Sequence, residues 1–546
     1  MSYNSKIILC KGIKLDKDYV NVLSYSEQQM FSLCNDNSHK IAEASNYTFI
    51  DRNKKIRVAF TYSQCVQANY IAFQNPDYSN KWFFAFITNV EYKGNLNTEI
   101  SFQIDAWSTW FDNWQKKPCY IIREHVNNDA IGANIIPENL NVGDVIEEEE
   151  EEDSSYTNEY GYWIAIASNW QPNDNSHITS DITKEGKQSS GITTYNNQIF
   201  GNKIFLFEVT DLNNQGFIDA GLFILRTNTD GYIADIKDMF IVPNALIDRT
   251  KLTQHIAYAT SNNDYPFTFY TIAYSKDIKI FNTSLTKKYS FSDFTPKNNK
   301  CFVYPYNYLL VSNNNGNNNI YKYEDFQTVG CIFENQLAMS IGVSGRLVPK
   351  NYKGMSYADD ESLPLGKYPT CGWSADSYIN WLTQNGVNLV TRFTKDTVET
   401  AKQFSKGDVA GATLNIANSM AGFIGDFYSA SLLPNVEGGG NTGNVVFGAN
   451  KMCFTFRKMR VKTQFLKVID DYFTRFGYKI NRVLEPNIIG RTYWNYIEIG
   501  TTEEIGNGDV PTNFMNDINN ACRRGTTIWH NHENIGNFNL NNTIVV

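Results

Sequence analysis

The chain has none of the Cys-x-x-Cys pairs that hold zinc or a redox disulfide, and its nine cysteines stand far apart. That spacing predicts reduced, buried thiols made in a cytosol, not a disulfide framework. No run of about 18 strongly apolar residues occurs, so no transmembrane helix is expected. The opening residues, Met1 to Lys6, carry no basic-then-apolar pattern, so no secretory signal is expected either. Metal and nucleophile motifs are missing too: the six histidines form no H-E-x-x-H, and no G-x-S-x-G is present. Basic charge is in deficit, with a formal net charge of −9. A tight, sequence-specific nucleic-acid reader is usually basic, so that class is disfavoured. A surface that DNA slides past should be neutral or acidic, because contacts from Lys and Arg to phosphate would retain it.

The sharpest local deficit is in residues 407–450, where neither Lys nor Arg occurs and Asp408, Asp426 and Glu437 are the only charges. The first half, Ala410 to Leu433, is mildly apolar and rich in Gly, Ala and Ser. Its larger apolar side chains are Leu414, Ile416, Met420, Phe423, Ile424, Phe427, Tyr428, Leu432 and Leu433. Small residues recur at four-residue spacing, at Gly407 and Gly411 and again at Ala417, Ala421 and Gly425. On a helix they would make a smooth stripe suited to close packing in lipid. An ordinary buried helical hairpin would carry the same pattern. The second half holds Gly438, Gly439, Gly440, Gly443 and, further on, Gly448, which predict a flexible hinge. Gly438 to Gly443 spells G-x-G-x-x-G, but without the strand before and helix after that a dinucleotide site requires.

Elsewhere the chain reads as β. Aromatic residues make up 14% of it, which favours strands. Trp82–Tyr92 and the alternating Ile100, Phe102 and Ile104 predict a hairpin, followed by a cluster of Trp107, Trp110 and Trp114 expected to cap a core or an interface. Further strands are expected at 163–167, 204–209, 222–226, 267–274, 302–311 and 320–323, the last two joined by an Asn/Gly loop. The unbroken acidic run Glu147–Asp153 predicts a solvated linker and a domain boundary. Helices are expected at Ala375–Gln384, at Val461–Phe473 with Phe465, Val468, Ile469, Tyr472 and Phe473 as its apolar set, and around Phe514, Ile518 and Cys522. His530, His532 and Glu533 predict a turn with satisfied polar groups, and Asp470 and Asp471 a solvated or Arg475-paired couple. Neither a metal site, a cofactor nor a catalytic residue is expected.

Several stretches together resemble a known family. They are Trp82–Tyr92 with Phe102–Trp107; Tyr368–Trp373 running into Asn380–Asn385; Ile469–Asn481; Tyr493–Tyr496; and Gly525–Asn531 with Gly536–Phe538. In this order and spacing they are similar to the distal tail-knob, or tail-tube, proteins of short-tailed phages of Gram-positive bacteria. The resemblance implies a mainly β (α+β) chain with several β-barrel-like or sandwich tube domains, a few helices and a long apolar loop. It implies a homohexameric tube at the distal end of the virion tail, made in the host cytoplasm and joined to upper-tail (collar) proteins. It further implies that double-stranded DNA passes through the lumen non-specifically, and that the apolar loops plug the lumen and then enter the host cytoplasmic membrane as a pore. The expected divisions are an N-terminal β tube domain at 1–150, a β-rich middle domain at 151–340 and a connecting segment at 341–385. The channel loop follows at 386–450, and an α/β segment at 451–546 completes the tube. The implied role is structural, not enzymatic. The rival reading is a receptor- or carbohydrate-binding tail protein, which exposed aromatics in 155–340 would serve; a wall-degrading enzyme is a second rival.

Overall fold

The computed structural model describes residues 5–45, 47–50, 54–74, 79–152, 162–168, 170, 194–195, 198–199, 203–209, 215–229, 236–259, 266–272, 279–312, 318–340, 342–350, 352, 371–374 and 454–545. They are mainly strands with a few helices. Two units interleave along the chain. The first takes Met1–Asp144, Ser290–Tyr306 and Val461–Val546; the second takes Val145–Tyr289 and Asn307–Arg460.

The first unit is built on a seven-stranded sheet in the order Lys40–Ala44, Lys6–Cys10, Tyr70–Gln74, Trp82–Gly94, Asn97–Ile104, Lys55–Val58, Thr48–Ile50. The expected hairpin is at its centre: Trp82–Gly94 pairs antiparallel with Asn97–Ile104. Ile100 and Phe102 are buried, as their alternation with polar neighbours requires. The chain then turns into a short helix, Ala106–Trp110, capped by Asp105, whose Oδ1 accepts from the Ser108 N–H at 3.1 Å. Asp105 Oδ2 also accepts from Tyr70 Oη at 2.7 Å. Trp107 donates Nε1–H to the Leu23 carbonyl at 2.9 Å, and its ring meets Trp114 edge-on at 5.7 Å. Trp110 stacks on Phe514 at 5.9 Å, so the tryptophan cluster closes the core.

A second, five-stranded sheet in this unit orders Asn21–Leu23, Thr526–Trp529, Trp494–Ile499, Cys119–Glu124 and Tyr478–Leu484. Its first pair is parallel, Asn21–Leu23 against Thr527–Trp529. Two amphipathic helices belong to this unit, Thr463–Phe476 and Thr512–Arg524. The first buries Leu466, Ile469, Asp470 and Phe473 at i, i+3, i+4, i+7 spacing. That stripe leaves Val468 on the other side, 68% exposed, whereas the sequence placed it with the apolar set. Gly477 ends the helix at φ +63°, and its N–H donates to the Phe473 carbonyl at 2.9 Å.

The second unit has one apolar core, in which Trp163, Trp170, Phe205, Phe223, Phe269, Tyr321, Phe333 and Phe456 are buried. Its five-stranded sheet orders Ile236–Pro243, Tyr162–Ser168, Lys203–Val209, Pro266–Ile272 and Leu252–Tyr258. Leu222–Arg226, expected as a strand, lies within the helix Gln215–Thr229. Leu222, Phe223, Ile224 and Arg226 are all buried, and a short apolar run buried all round has no period to separate helix from strand. The expected strand 302–311 is also shorter. Residues Asn299–Phe302 form a 3₁₀ turn and pairing begins at Asn307, beyond Pro305, which lacks the N–H a ladder needs. The strand pair Asn307–Ser312 and Asn318–Tyr321 forms as expected.

The acidic run is a strand, not a linker. Val145–Glu152 is the edge of a four-stranded sheet and is followed in order by Thr455–Val461, Asn307–Ser312 and Asn318–Tyr321. The reason is charge pairing. Cys10, Cys34, Cys65, Cys119, Cys301, Cys331 and Cys522 are free thiols, and all are buried.

Candidate functional site

Residues 375–453 lie outside the described residues, and with them the apolar set from Leu414 to Leu433, the hinge glycines 438–443 and 448, and the expected helix at 375–384. The strands on either side are described. Cys371–Ser374 is an edge strand paired antiparallel with Gly342–Pro349. Thr455–Val461 is an inner strand, paired with Asn307–Ser312 on one side and the acidic strand on the other. Both ends of the interval are thus fixed in ladders of the second unit.

The return strand is held by charge as well as by its ladder. Phe454 and Phe456 are fully buried. Lys458 and Arg460 are each 3% exposed, yet both are paired: Lys458 Nζ with Glu149 at 3.0 Å and with Glu151, and Arg460 Nε with Glu148 at 3.0 Å. Arg457 bridges Glu147 at 3.3 Å and Glu150 at 3.2 Å, and Lys288 reaches Glu149 at 3.5 Å. Burial pulls the Lys458 pKa down, but the bonds to Glu151 and Glu149 outweigh it and leave it raised. The Lys458 bond in turn holds Glu149 below the usual carboxylate range. A run of glutamates repels itself in isolation; opposite Arg457, Lys458 and Arg460 it becomes an edge strand.

The first unit carries buried polar groups around the C-terminal end of the helix Thr463–Phe476. Glu138 is sealed from solvent between Arg123 and Lys300. His125 accepts the Tyr496 N–H on Nδ1 at 2.7 Å and donates from Nε2 to the Thr474 carbonyl at 3.1 Å. Both nitrogens are used by the neutral ring, and burial lowers its pKa to about 3. Next to it, burial raises Glu124 to about 7. Asp470 is no solvated acid: its carboxylate and carbonyl take three hydrogen bonds from Asn298 and one from the Lys297 N–H. Asp471 is the exposed member, paired with Arg475 at 3.0 Å as expected. A cavity of about 490 Å3 opens beside this cluster, lined among others by His125, Asn127, Asn128, Asp129, Asn298 and Arg491.

The histidines at the chain's end meet a partner that sequence proximity could not supply. The ligand atoms of His39, His532 and Glu533 lie within 4.8 Å of one another. The bonding pattern argues for a hydrogen-bonded cluster instead of a metal site. His532 Nε2 accepts the Lys14 N–H at 3.0 Å, so the ring's lone pair is spent, and Nδ1–H donates to Glu533 at 3.0 Å. His530 is likewise satisfied, by Ser24 at 2.8 Å and Asn495 at 3.1 Å. No helix among the described residues is long and apolar enough to cross a membrane.

Comparison with known proteins gives these features a common setting. Residues 273–543 match the family described as Bacillus phage phi29 tail knob protein gp9, C-terminal domain, and residues 3–115 match the Caudoviral major tail protein N-terminus. Tail knob protein gp9 of Bacillus phage phi29 is 24% identical, the match covering 99% of this chain and 98% of the relative. Tail knob protein gp9 of Bacillus phage B103 is 23% identical over 93% of this chain and 92% of the relative. Among solved structures, the tail knob protein gp12 of bacteriophage C1 matches in fold with a TM-score of 0.55 and 14% identity, covering 99% of this chain and 100% of that one. The strands that anchor residues 375–453, the Trp-rich hairpin and the closing helix are therefore parts of a structural virion component, and the chain belongs to the distal tail knob proteins of short-tailed phages that infect Gram-positive bacteria.

Proposed function

We infer that six copies of this chain form a closed tube at the tail tip, through which the double-stranded genome leaves and whose apolar loops open the host cytoplasmic membrane. The observation that carries this reading is the placement of the apolar interval. Residues 407–450, free of Lys and Arg, fall between two strands of one unit, each hydrogen-bonded into a sheet. A segment so tethered can change its surroundings without loosening the wall that holds it. Cyclic symmetry supplies several copies around one axis, which a single short segment needs to make a wide pore. The net charge of −9 suits a lumen that passes DNA with little friction. Released into lipid, each loop gains roughly 25 cal/mol for every Å2 of apolar surface it buries. Gly438–Gly440, Gly443 and Gly448 serve as its hinge. Collar proteins of the upper tail cap the other end of the tube.

Deleting residues 407–450 tests the loop separately from the tube. The expected result is sixfold rings in electron micrographs, with a lumen wide enough for duplex DNA, together with loss of dye release from liposomes and loss of genome delivery. A deleted phage that infects normally refutes the pore role. Monomers or trimers without a lumen refute the tube and favour a receptor-binding role.

A further inference from the structure

Arg491 is a buried charge of the first unit with few partners among the described residues. It is only 8% exposed. Its Nη1 donates one long bond, 3.4 Å, to the Asn542 carbonyl. Its Nε, also shut from solvent, donates to no acceptor. Among the described residues no carboxylate oxygen lies within ion-pair distance of the guanidinium. A guanidinium offers five donors in a planar fork, and leaving them unpaired in a buried site costs more than forming the site returns. Arg491 lines the cavity of about 490 Å3 beside His125 and Asp129. That volume falls in the range of about 300–1,000 Å3 typical of small-molecule sites.

The rest of the wall narrows the ligand. Of the cavity's polar groups, several are already spent on the fold. Asp129 accepts from Tyr478 Oη and from the Asn299 N–H at 3.3 Å, and Asn298 is committed to Asp470. His125 is neutral and uses both nitrogens. At the mouth, by contrast, amides are left over. Asn127 and Asn128 are exposed; each uses its Oδ1, towards Asn487 at 2.9 Å and the Ala130 N–H at 3.0 Å, which leaves their NH2 groups for other acceptors. Exposed Asn541 and Thr543 stand on the same rim. Unspent amide donors on adjacent residues match neighbouring hydroxyls of a polyol. The cation at the floor matches one oxyanion group.

We propose that this cavity binds a small polyhydroxylated molecule bearing one oxyanion group, the oxyanion on the Arg491 Nη groups and the hydroxyls at the Asn127–Asn128 rim. The site goes beyond the tube reading and does not depend on it.

Calorimetric titration of the full chain with glucose 6-phosphate, inorganic phosphate and glucose tests it. Two variants accompany the parent. Arg491→Lys keeps the charge and removes the fork. Asn128→Asp sits on the exposed rim, keeps the acceptor that the Ala130 N–H needs, and adds a negative charge at the mouth, so its folding is not in question. The expected result is saturable binding of glucose 6-phosphate, weakened about tenfold or more in both variants at an unchanged thermal midpoint for Asn128→Asp. Glucose binding as tightly as its phosphate ester overturns the oxyanion assignment. Inorganic phosphate binding as tightly as the ester overturns the polyol assignment. Absence of binding, or binding that Asn128→Asp does not weaken, overturns the site.

Discussion

Asn298 and Asp470, 172 residues apart in the chain, are joined by three hydrogen bonds of 2.9–3.0 Å. One carboxylate thereby holds a loop against a helix. Replacing Asp470 with Ala leaves the buried Asn298 N–H and the Lys297 N–H without their acceptor, and should cost about 3 kcal/mol of unfolding free energy. Asp471→Ala removes only an exposed i,i+4 pair with Arg475 and should cost about 0.5 kcal/mol or less. Denaturant unfolding of the two variants side by side decides it; equal losses would contradict the clamp.

The acidic strand gives a second contrast. Glu148→Ala removes the carboxylate that the buried Arg460 Nε bonds at 3.0 Å, and should cost about 3 kcal/mol. Glu150 is paired at the surface with Arg457, so Glu150→Ala should cost about 0.5 kcal/mol or less, and less still in high salt. Melting curves in low and high salt separate the two.

Glu124 and His125 set opposite pH slopes in overlapping windows. His125 has a folded pKa depressed from 6.5 to about 3. The unfolded chain binds its proton first as pH falls, so stability is lost between pH 6.5 and 3. Glu124 has a folded pKa raised from 4.5 to about 7. The unfolded chain releases its proton first as pH rises, so stability is lost between pH 4.5 and 7. Each contributes a slope of about 1.4 kcal/mol per pH unit, and they offset each other from 4.5 to 6.5. In Glu124→Gln the offset goes, and stability should climb steadily from pH 3 to 6.5. Superimposable pH profiles for parent and variant would refute the assignment.

Gly477 tolerates no side chain. At φ +63° an added Cβ would lie 2.2 Å from the Glu124 carbonyl oxygen and 2.6 Å from the His125 nitrogen. Both are backbone atoms that cannot swing aside. Gly477→Ala should therefore destabilise by several kcal/mol, on the order of 3 or more, and show as a lost or greatly lowered melting transition.

The sequence carried elements whose causes are local. The hairpin at 82–104 was legible because alternation sets its buried face, and the helix 463–476 because its apolar residues recur at helical spacing and a glycine ends it. The helix at 215–229 was not, since Leu222, Phe223, Ile224 and Arg226 are all buried and so show no period. Nor was the acidic strand, whose partners Arg457, Lys458 and Arg460 lie some 300 residues further on. Distance hid the polar clusters too. Asp470 read as solvated because Asn298 is remote, and Arg491 carried no signal because an unpaired guanidinium looks in sequence like any other arginine. His39, which meets His532 and Glu533, is remote for the same reason. The apolar loop was visible by its missing charges, and its role rests on composition and on the two strands that hold its ends.

The parallel pairing of Asn21–Leu23 with Thr527–Trp529 has a consequence for biosynthesis. Trp529 is made 508 residues after Asn21, a delay of about 25 to 100 s at bacterial translation rates. The seven-stranded sheet, contained in residues 6–104, has all its strands early. The five-stranded sheet does not, and a nascent chain must hold its early strands in waiting until the ribosome delivers Thr526–Trp529. A chain released before that point has an open β edge along Trp494–Ile499, the kind of surface that proteases and aggregation find first. A copy that ends before Thr526 leaves that edge bare, whereas one that includes Trp529 covers it.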